Sequence, residues 1–412
     1  MRVLYLTWGE TPRISGVYGS QVVRLLGYLN GRDRPLVDLC AGVPIVNSAW
    51  TRERSLLGAS PGDLTAELGG GQFHRVMIPT VQTAILKPPG TWRGMVPAMS
   101  LRSLASIVRQ TTPDIVHARS YHACWAAVQV RAQTGEQFRV VFDPRGILPH
   151  EVLLRSRSRG PKALRRWLSI ERDLLDRADV VVAVSDTMRD YFVERGARRV
   201  VINYLASDDR PTIGPRAPDR SEAAKAWTFV YAGALGENTW HSAHSLARLY
   251  GCLRRLAPRP CSLRIVSGSP EREIRKAFAD LPDHEVEVLS APSAREVASL
   301  MEDCTIGLLP FRGVETDSER VVGHTMLGTK TVEYICAGLP VLVNRDCGGA
   351  DALLAEHGIG LSFDLTDLDL SAEALTGLAS IDRGHIAAVG SRLFSYRSWS
   401  DRAMEIYSTT LS

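Results

Sequence analysis

The sequence predicts an α/β protein built of two doubly wound parallel-sheet domains facing a central cleft, and three observations carry that expectation. The chain opens as strand, loop and helix: the apolar run Val3–Thr7, a Gly-containing loop over Gly9–Gly19 and an amphipathic stretch over Ser20–Asn30. That is the usual first unit of such a sheet. Later apolar runs alternate with helical stretches, and some, such as Val180-Val181-Val182-Ala183-Val184, are continuous, which suits strands covered on both faces. The alternation breaks once, over 206–226, and then restarts.

In the first half, strands are expected at Asp114–His117, Arg139–Phe142 and Asp179–Val184, with helices over Ala98–Arg109 and Leu164–Arg177. The segment 206–226 is rich in proline and charge and reads as a linker. Beyond it, strands are expected at Thr228–Ala232, Ser262–Ser267, Glu285–Leu289, Ile306–Pro310 and Pro340–Asn344, and helices over His241–Leu256, Ala294–Glu302 and Lys330–Gly338. The domains are then 1–205 and 227–392, with 393–412 closing the chain. Open sheets of this kind bind ligands at the C-terminal ends of their strands, so two of them place a ligand in the cleft between.

Composition narrows the function classes. Of 412 residues, 45% are hydrophobic and 23% charged, an ordinary globular balance that excludes wholesale disorder. No apolar run reaches the roughly 18 residues of a spanning helix, and the N-terminus turns polar too soon for a signal peptide. The seven cysteines are scattered and contain no C-x-x-C pair. They read as buried free thiols of a cytoplasmic protein rather than as a disulfide framework or a zinc ribbon. Charge is uneven: residues 1–205 hold 28 Lys+Arg against 17 Asp+Glu, or +11, and residues 206–412 hold 21 against 28, or −7. The basic half lacks the motifs and interleaved aromatic residues of a nucleic-acid binder, so nucleic acid is not expected. An anionic substrate or an anionic lipid surface fits its charge. The stretch Arg155, Arg157, Arg159, Lys162, Arg165 and Arg166, followed by Trp167 and Leu168, is the candidate contact for such a surface.

Four segments in order resemble the family 4 retaining glycosyltransferases. Asp114-Ile115-Val116-His117 is similar to the family's D-[IV]-V-H strand. The stretch from Ala178-Asp179 through Val184-Ser185 to Met188 is similar to A-D-x-V-V-x-V-S-x-x-M. Phe229-Val230-Tyr231-Ala232-Gly233 is similar to the strand that opens the C-terminal domain. The most specific is Gly328-Thr329-Lys330-Thr331-Val332-Glu333-Tyr334 through Gly338-Leu339-Pro340-Val341, similar to P-T-K-x-x-E-Y-x-A-x-G-x-P-V. The resemblance implies two Rossmann-like domains in the GT-B arrangement and a metal-independent enzyme. It further implies an acceptor on the N-terminal side, a nucleotide-diphosphate sugar on the C-terminal side, and a C-terminal helix returning to the N-terminal domain.

The candidate residues follow from that chemistry. A diphosphate needs backbone N–H groups and a cation. Gly16 and Gly19 let the backbone approach it, with Gly233 on the second domain. Lys330 at a helix start opposes the helix dipole, which an anionic partner would explain. Glu333, one turn on, is implied to bind ribose hydroxyls, with Thr331 beside it. Arg145, in Asp143-Pro144-Arg145-Gly146 after a strand, offers a fork to phosphate or carboxylate. Arg145, Lys330 and Glu333 are thus the expected catalytic set, with His117 and Glu151 on the acceptor side.

The sequence also departs from the family. Where many members carry a glutamate eight positions before Glu333, this chain has Thr325. Ala234 stands at a usual arginine, and Thr239-Trp240 where Lys-Gly would be. Arg320, His241 and His324 are the candidates to replace those cations. No metal motif, no G-x-G-x-x-G and no G-x-S-x-G is present, so neither a metal, a cofactor, a dehydrogenase nor a hydrolase is expected. The implied function is transfer of a sugar to a hydroxyl of a glycan or lipid-linked glycan in bacterial-type polysaccharide synthesis, at the inner face of the cell membrane. The alternatives are a non-catalytic glycan- or nucleotide-binding subunit of the same fold and a nucleotide-sugar epimerase.

Overall fold

A computed structural model of the chain describes residues 1–31, 36–46, 58–89, 95–155, 160–207, 226–236, 240–291 and 293–412. They form two compact units: Met1–Val184, Met188–Asp208 and Tyr396–Ser412 in the first, Ser185–Thr187 and Asp209–Ser395 in the second. Most of the segment read as a linker, and the basic positions Arg157 and Arg159, lie outside the described residues.

The first unit holds β1 (Val3–Trp8), β2 (Val37–Val46), β3 (Phe73–Val81), β4 (Ile115–Arg119), β5 (Arg139–Asp143), β6 (Val180–Ala183) and β7 (Val200–Ile202). They form one parallel sheet in the order β3-β2-β1-β4-β5-β6-β7. The order reverses between β1 and β4, the switch point at which such sheets bind ligands. Register sets Tyr5 opposite His117, and Thr7, Arg119 and Asp143 in one row across the C-terminal ends of β1, β4 and β5. All six residues of β1 are buried, as expected of a strand covered on both faces. One side of the sheet is covered by Leu25, Leu26 and Leu29 of the first helical segment and by Tyr396, Trp399, Ile406 and Tyr407 of the helix Tyr396–Leu411.

The second unit repeats the plan. β8 (Trp227–Ala232), β9 (Cys261–Val266), β10 (Val286–Leu289), β11 (Ile306–Leu309), β12 (Val341–Asn344) and β13 (Gly360–Phe363) form a parallel sheet in the order β10-β9-β8-β11-β12-β13. Its switch point lies between β8 and β11. Phe229, Tyr231, Leu263, Ile265, Ile306 and Leu308 anchor its core.

Most expected elements are present with their ends shifted by up to three residues. Four strands had no clear sequence signal. Gly42 and Pro44 interrupt β2, Arg75 and Pro79 interrupt β3, and β7 and β13 have only three and four residues. The first helix corrects the reading of the glycine loop. It starts at Gly16, and Gly19–Val23 is wound as a π-type turn. Both glycines therefore belong to the helix start. Gly16 supplies a φ of +65°. At Gly19 a Cβ would sit 2.4 Å from the Ile14 carbonyl oxygen, a close approach only glycine permits.

Candidate functional site

In the second unit the chemistry gathers at the end of β8. The helix Thr329–Cys336 starts from Gly328 with no side-chain cap, which leaves its first amides available to an anion. Tyr334 fixes the helix in place. Its ring lies against Gly307, where a Cβ would sit 2.7 Å from Cδ2, and its hydroxyl accepts the Ala232 N–H at 2.8 Å. This lays Lys330 across Gly233, with Nζ 5.7 Å from the centre of the Tyr231 ring, a cation–π contact. Gly233 has φ +138°, and a Cβ there would sit 2.0 Å from Lys330 Cε. Gly233→Ala is therefore expected to displace Lys330 and strain the backbone, so that an anion held by Lys330 would bind about tenfold more weakly while the fold persists, as titration calorimetry would read.

Lys330 and Glu333 are both partly buried. Among the described residues neither Lys330 Nζ nor the Glu333 carboxylate has a hydrogen-bond or ion-pair partner within this unit. Burial lowers the Lys330 ammonium below the ordinary lysine range, although Glu333 pulls it up. Burial raises the Glu333 carboxyl, although Lys330 pulls it down. Each is desolvated more than the other compensates, the condition of a site awaiting a polar ligand.

The positions where family cations or carboxylates are missing are settled differently. Thr325 is buried, and its hydroxyl donates to the Val321 carbonyl at 3.0 Å and the Val322 carbonyl at 3.2 Å. Ala234 is exposed, and its carbonyl accepts the Tyr231 hydroxyl at 2.8 Å. Arg320, expected on the donor side, is 70% exposed and paired with Asp317 at 3.0 Å in the first turn of its helix. Thr331, also expected there, is buried in the core face of its helix. Neither takes part in the Lys330–Glu333 pair.

In the first unit, a buried chain of polar groups runs along the C-terminal ends of β4 and β5. His117 stacks on Tyr5 at 4.5 Å, meets the Tyr407 hydroxyl through Nδ1 at 2.9 Å and meets Asp143 Oδ2 through Nε2 at 3.3 Å. Asp143 also receives Arg145 Nη1 at 3.5 Å, and Arg145 Nη2 donates to Gln21 Oε1 at 3.4 Å. Burial alone would raise the Asp143 carboxyl. Arg145, the His117 hydrogen bond and Arg119 outweigh it and hold the carboxyl below its ordinary range. Among the described residues, two of the four non-glycine positions with positive φ stand within two residues of the ends of these strands, Ser120 at +96° and Arg145 at +61°, and such strain gathers at functional edges.

His117 is only 2% exposed and has both nitrogens engaged, so it positions Asp143 and, through it, Arg145. The Glu151 carboxylate folds onto Gly146, where a Cβ would sit 2.1 Å from Oε1, and so braces the turn that carries Arg145. Gly19 spends its N–H on the Ser15 carbonyl at 3.3 Å. Trp167, read as the apolar flank of a lipid contact, is fully buried against Tyr121 and His122. Lys162, Arg165 and Arg166 are exposed on that helix. Sequence reasoning missed Arg119, Tyr231, Tyr334 and Tyr407. Arg119 could have been found, since it ends a strand whose C-terminal edge faces the ligand side. Among the described residues, no helix is long and apolar enough to cross a membrane, and no cluster of three or more His, Cys, Asp or Glu is placed to hold a metal.

Residues 42–206 match the model of the glycosyl transferase 4-like domain, a span that holds the first two of the four segments and agrees with the resemblance read there. No curated protein matches the chain. Among solved structures, Anabaena Alr3699/HepE in complex with UDP is similar over 99% of this chain and 100% of its own, at 16% identity and a TM-score of 0.64. Sucrose-phosphate synthase from Thermosynechococcus elongatus is similar over 99% and 98%, at 14% identity and a TM-score of 0.63. The lipopolysaccharide outer core galactosyltransferase WaaB is similar over 99% and 100%, at 14% identity and a TM-score of 0.65. At these identities the likeness shows the fold: two parallel-sheet α/β domains of the GT-B type.

Proposed function

We propose that this chain is a retaining glycosyltransferase that moves a sugar from a nucleotide-diphosphate donor to a hydroxyl of a glycan or lipid-linked glycan. The observation that carries the reading is the Lys330–Glu333 pair: a cation and a carboxylate, desolvated and, among the described residues, without a hydrogen-bond or ion-pair partner, at the switch point of a nucleotide-type sheet. A diphosphate supplies the anion for Lys330, and ribose hydroxyls supply the donors for Glu333. Structures of similar fold that were solved with UDP and with UDP-glucose support the choice of ligand class. Negative charge builds on the departing diphosphate in the transition state, so a fixed cation and the uncapped amides of the Thr329–Cys336 helix lower the barrier without a nucleophile from the chain. The first unit takes the acceptor, with Arg145 as its fork for a phosphate or carboxylate. Its basic surface suits a place beside an anionic membrane.

Stereochemistry tests the retaining assignment. With an α-linked nucleotide sugar, proton NMR of the product is expected to show an α-linkage, unchanged in the presence of EDTA. A β-linked product would overturn the retaining mechanism, and loss of activity with EDTA would overturn metal independence. A second reading, a binding subunit without catalysis, is favoured by Ala234 and Thr325 alone. It requires nucleotide binding without turnover.

A further inference from the structure

Arg119, the last residue of β4, is a charged and buried group near the first unit's switch point that the proposed reaction leaves unused. It is 7% exposed. Its Nε and Nη1 are covered by protein and have no hydrogen-bond partner among the described residues. The nearest carboxylate is Glu10, on the loop after β1, whose Oε2 lies 3.7 Å from Nε, beyond hydrogen-bond distance. Glu10 itself is 40% exposed. Asp143, opposite Arg119 in the register, is engaged by His117 and Arg145. The remaining groups acting on Arg119 are the phenols Tyr5 and Tyr18, and Tyr18 is already bonded to Thr7 at 2.9 Å. A guanidinium carries five donors in a planar fork that matches carboxylate and phosphate. Burying one with two donors unmet is costly: the surrounding anionic groups, Glu10 first, hold its charge in place, but Glu10 does not come within hydrogen-bond distance of Nε.

We propose that Arg119 is the floor of an oxyanion subsite in the first unit, that Glu10 occupies it in the free protein, and that an anionic group on the acceptor, a phosphate or a carboxylate, displaces Glu10 on binding. This rests on the reading of the first unit as the acceptor side, and it narrows the acceptor to anionic glycans. Neutral sugars do not displace Glu10, so they bind weakly. The arrangement also gives discrimination: without an anionic ligand, the Glu10 carboxylate stands over the guanidinium and competes for it.

The test uses the full chain as wild type, Glu10→Gln and Arg119→Gln. The probes are inorganic phosphate, glucose 6-phosphate, glucuronate and glucose, at constant ionic strength made up with chloride, and UDP is titrated in parallel. In chloride alone, Glu10→Gln is expected to melt several degrees below wild type, because it leaves Arg119 buried and unpaired. Oxyanion is expected to restore it. Its affinity for the matching probe is expected to rise about tenfold over wild type, since the internal competitor is gone. Arg119→Gln is expected to lose the response, and glucose to have none. Whether glucose 6-phosphate or glucuronate gives the larger shift identifies the anionic group. A lower melting temperature that no oxyanion restores, with affinity unchanged in Glu10→Gln, would make the pair purely structural and overturn the proposal. Glu10 is on the surface, so its variant decides the matter even where Arg119→Gln fails to fold. An intact UDP response with no oxyanion response removes the subsite alone. The oxyanion pattern without UDP binding keeps the subsite and removes the donor reading.

Discussion

Lys330→Ala is expected to lower the turnover of sugar transfer by on the order of 10²–10³, the usual loss when a positioned charge is removed from a developing anion. Glu333→Gln is expected to act differently. It removes a charge-assisted hydrogen bond to the ribose, about 1.5–3 kcal/mol, and raises the donor KM by roughly tenfold to a hundredfold with a smaller change in kcat. The split follows from the proposed positions: Lys330 would meet charge that grows during the reaction, whereas Glu333 would meet hydroxyls whose charge does not change. A pH dependence accompanies it. The free protein holds Lys330 below the ordinary lysine range, and a bound diphosphate favours its charged form and raises its pKa. Donor affinity is therefore full below the lowered value of the free protein and falls as pH rises through it. Between the free and bound values, binding takes up a proton. Calorimetry in two buffers of different ionisation enthalpy reads this directly, and zero uptake across the alkaline range would contradict the placement of the diphosphate on Lys330.

Ending the chain at Ser395 is expected to unfold the first unit. The helix Tyr396–Leu411 buries Tyr396, Trp399, Ile406 and Tyr407 in that unit's core. At about 1.5–3 kcal/mol for each large side chain, their loss is comparable to the whole stability of a domain, roughly 5–15 kcal/mol. Polar ties go with it. Tyr407 bonds His117 at 2.9 Å, Tyr396 donates to the Ser20 carbonyl at 3.0 Å, and Arg199 donates to the Thr409 carbonyl at 2.8 Å. His117 would lose the partner that orients it toward Asp143. Limited proteolysis of the truncated chain should digest the first unit and spare the second, whose core contains none of these residues. The point variant Trp399→Ala isolates one element of this, at about 3–5 kcal/mol. An unchanged urea midpoint for the first unit after truncation would show that the helix is dispensable.

Fold and site differed in how much of each was legible in the sequence. The strands built on apolar runs, β1, β4, β5, β6 and β8, were readable because burial on both faces leaves few polar residues to blur them, and β6 has none. β2 and β3 were not, because Gly42 fits under the Trp8 ring, where a Cβ would sit 2.5 Å from Cδ2, and because Pro44 and Pro79 look like breakers in isolation. Lys330 and Glu333 were legible as a spaced pair on one helix turn. What the sequence hid was long-range company. Nothing near Lys330 in the chain announces that it lies over Gly233 and beside Tyr231, nearly a hundred residues earlier. His117 and Glu151 carry reactive side chains, and only packing shows them braced against Tyr407 and Gly146. Arg320 was chosen for its charge, yet solvent and Asp317 already satisfy it. Arg119 was passed over because one arginine after a strand looks like any other until its neighbours are known.

The most direct measurement is a thermal-shift titration of UDP, GDP, ADP and CMP on wild type, Lys330→Ala and Glu333→Gln. A ligand at about 100 times its dissociation constant adds roughly 2.7 kcal/mol to the folded state. One nucleoside diphosphate is expected to raise the wild-type melting temperature, with the shift abolished in Lys330→Ala and reduced in Glu333→Gln. A wild-type protein indifferent to every diphosphate, or a shift that survives the loss of Lys330, would contradict a donor site built on this pair.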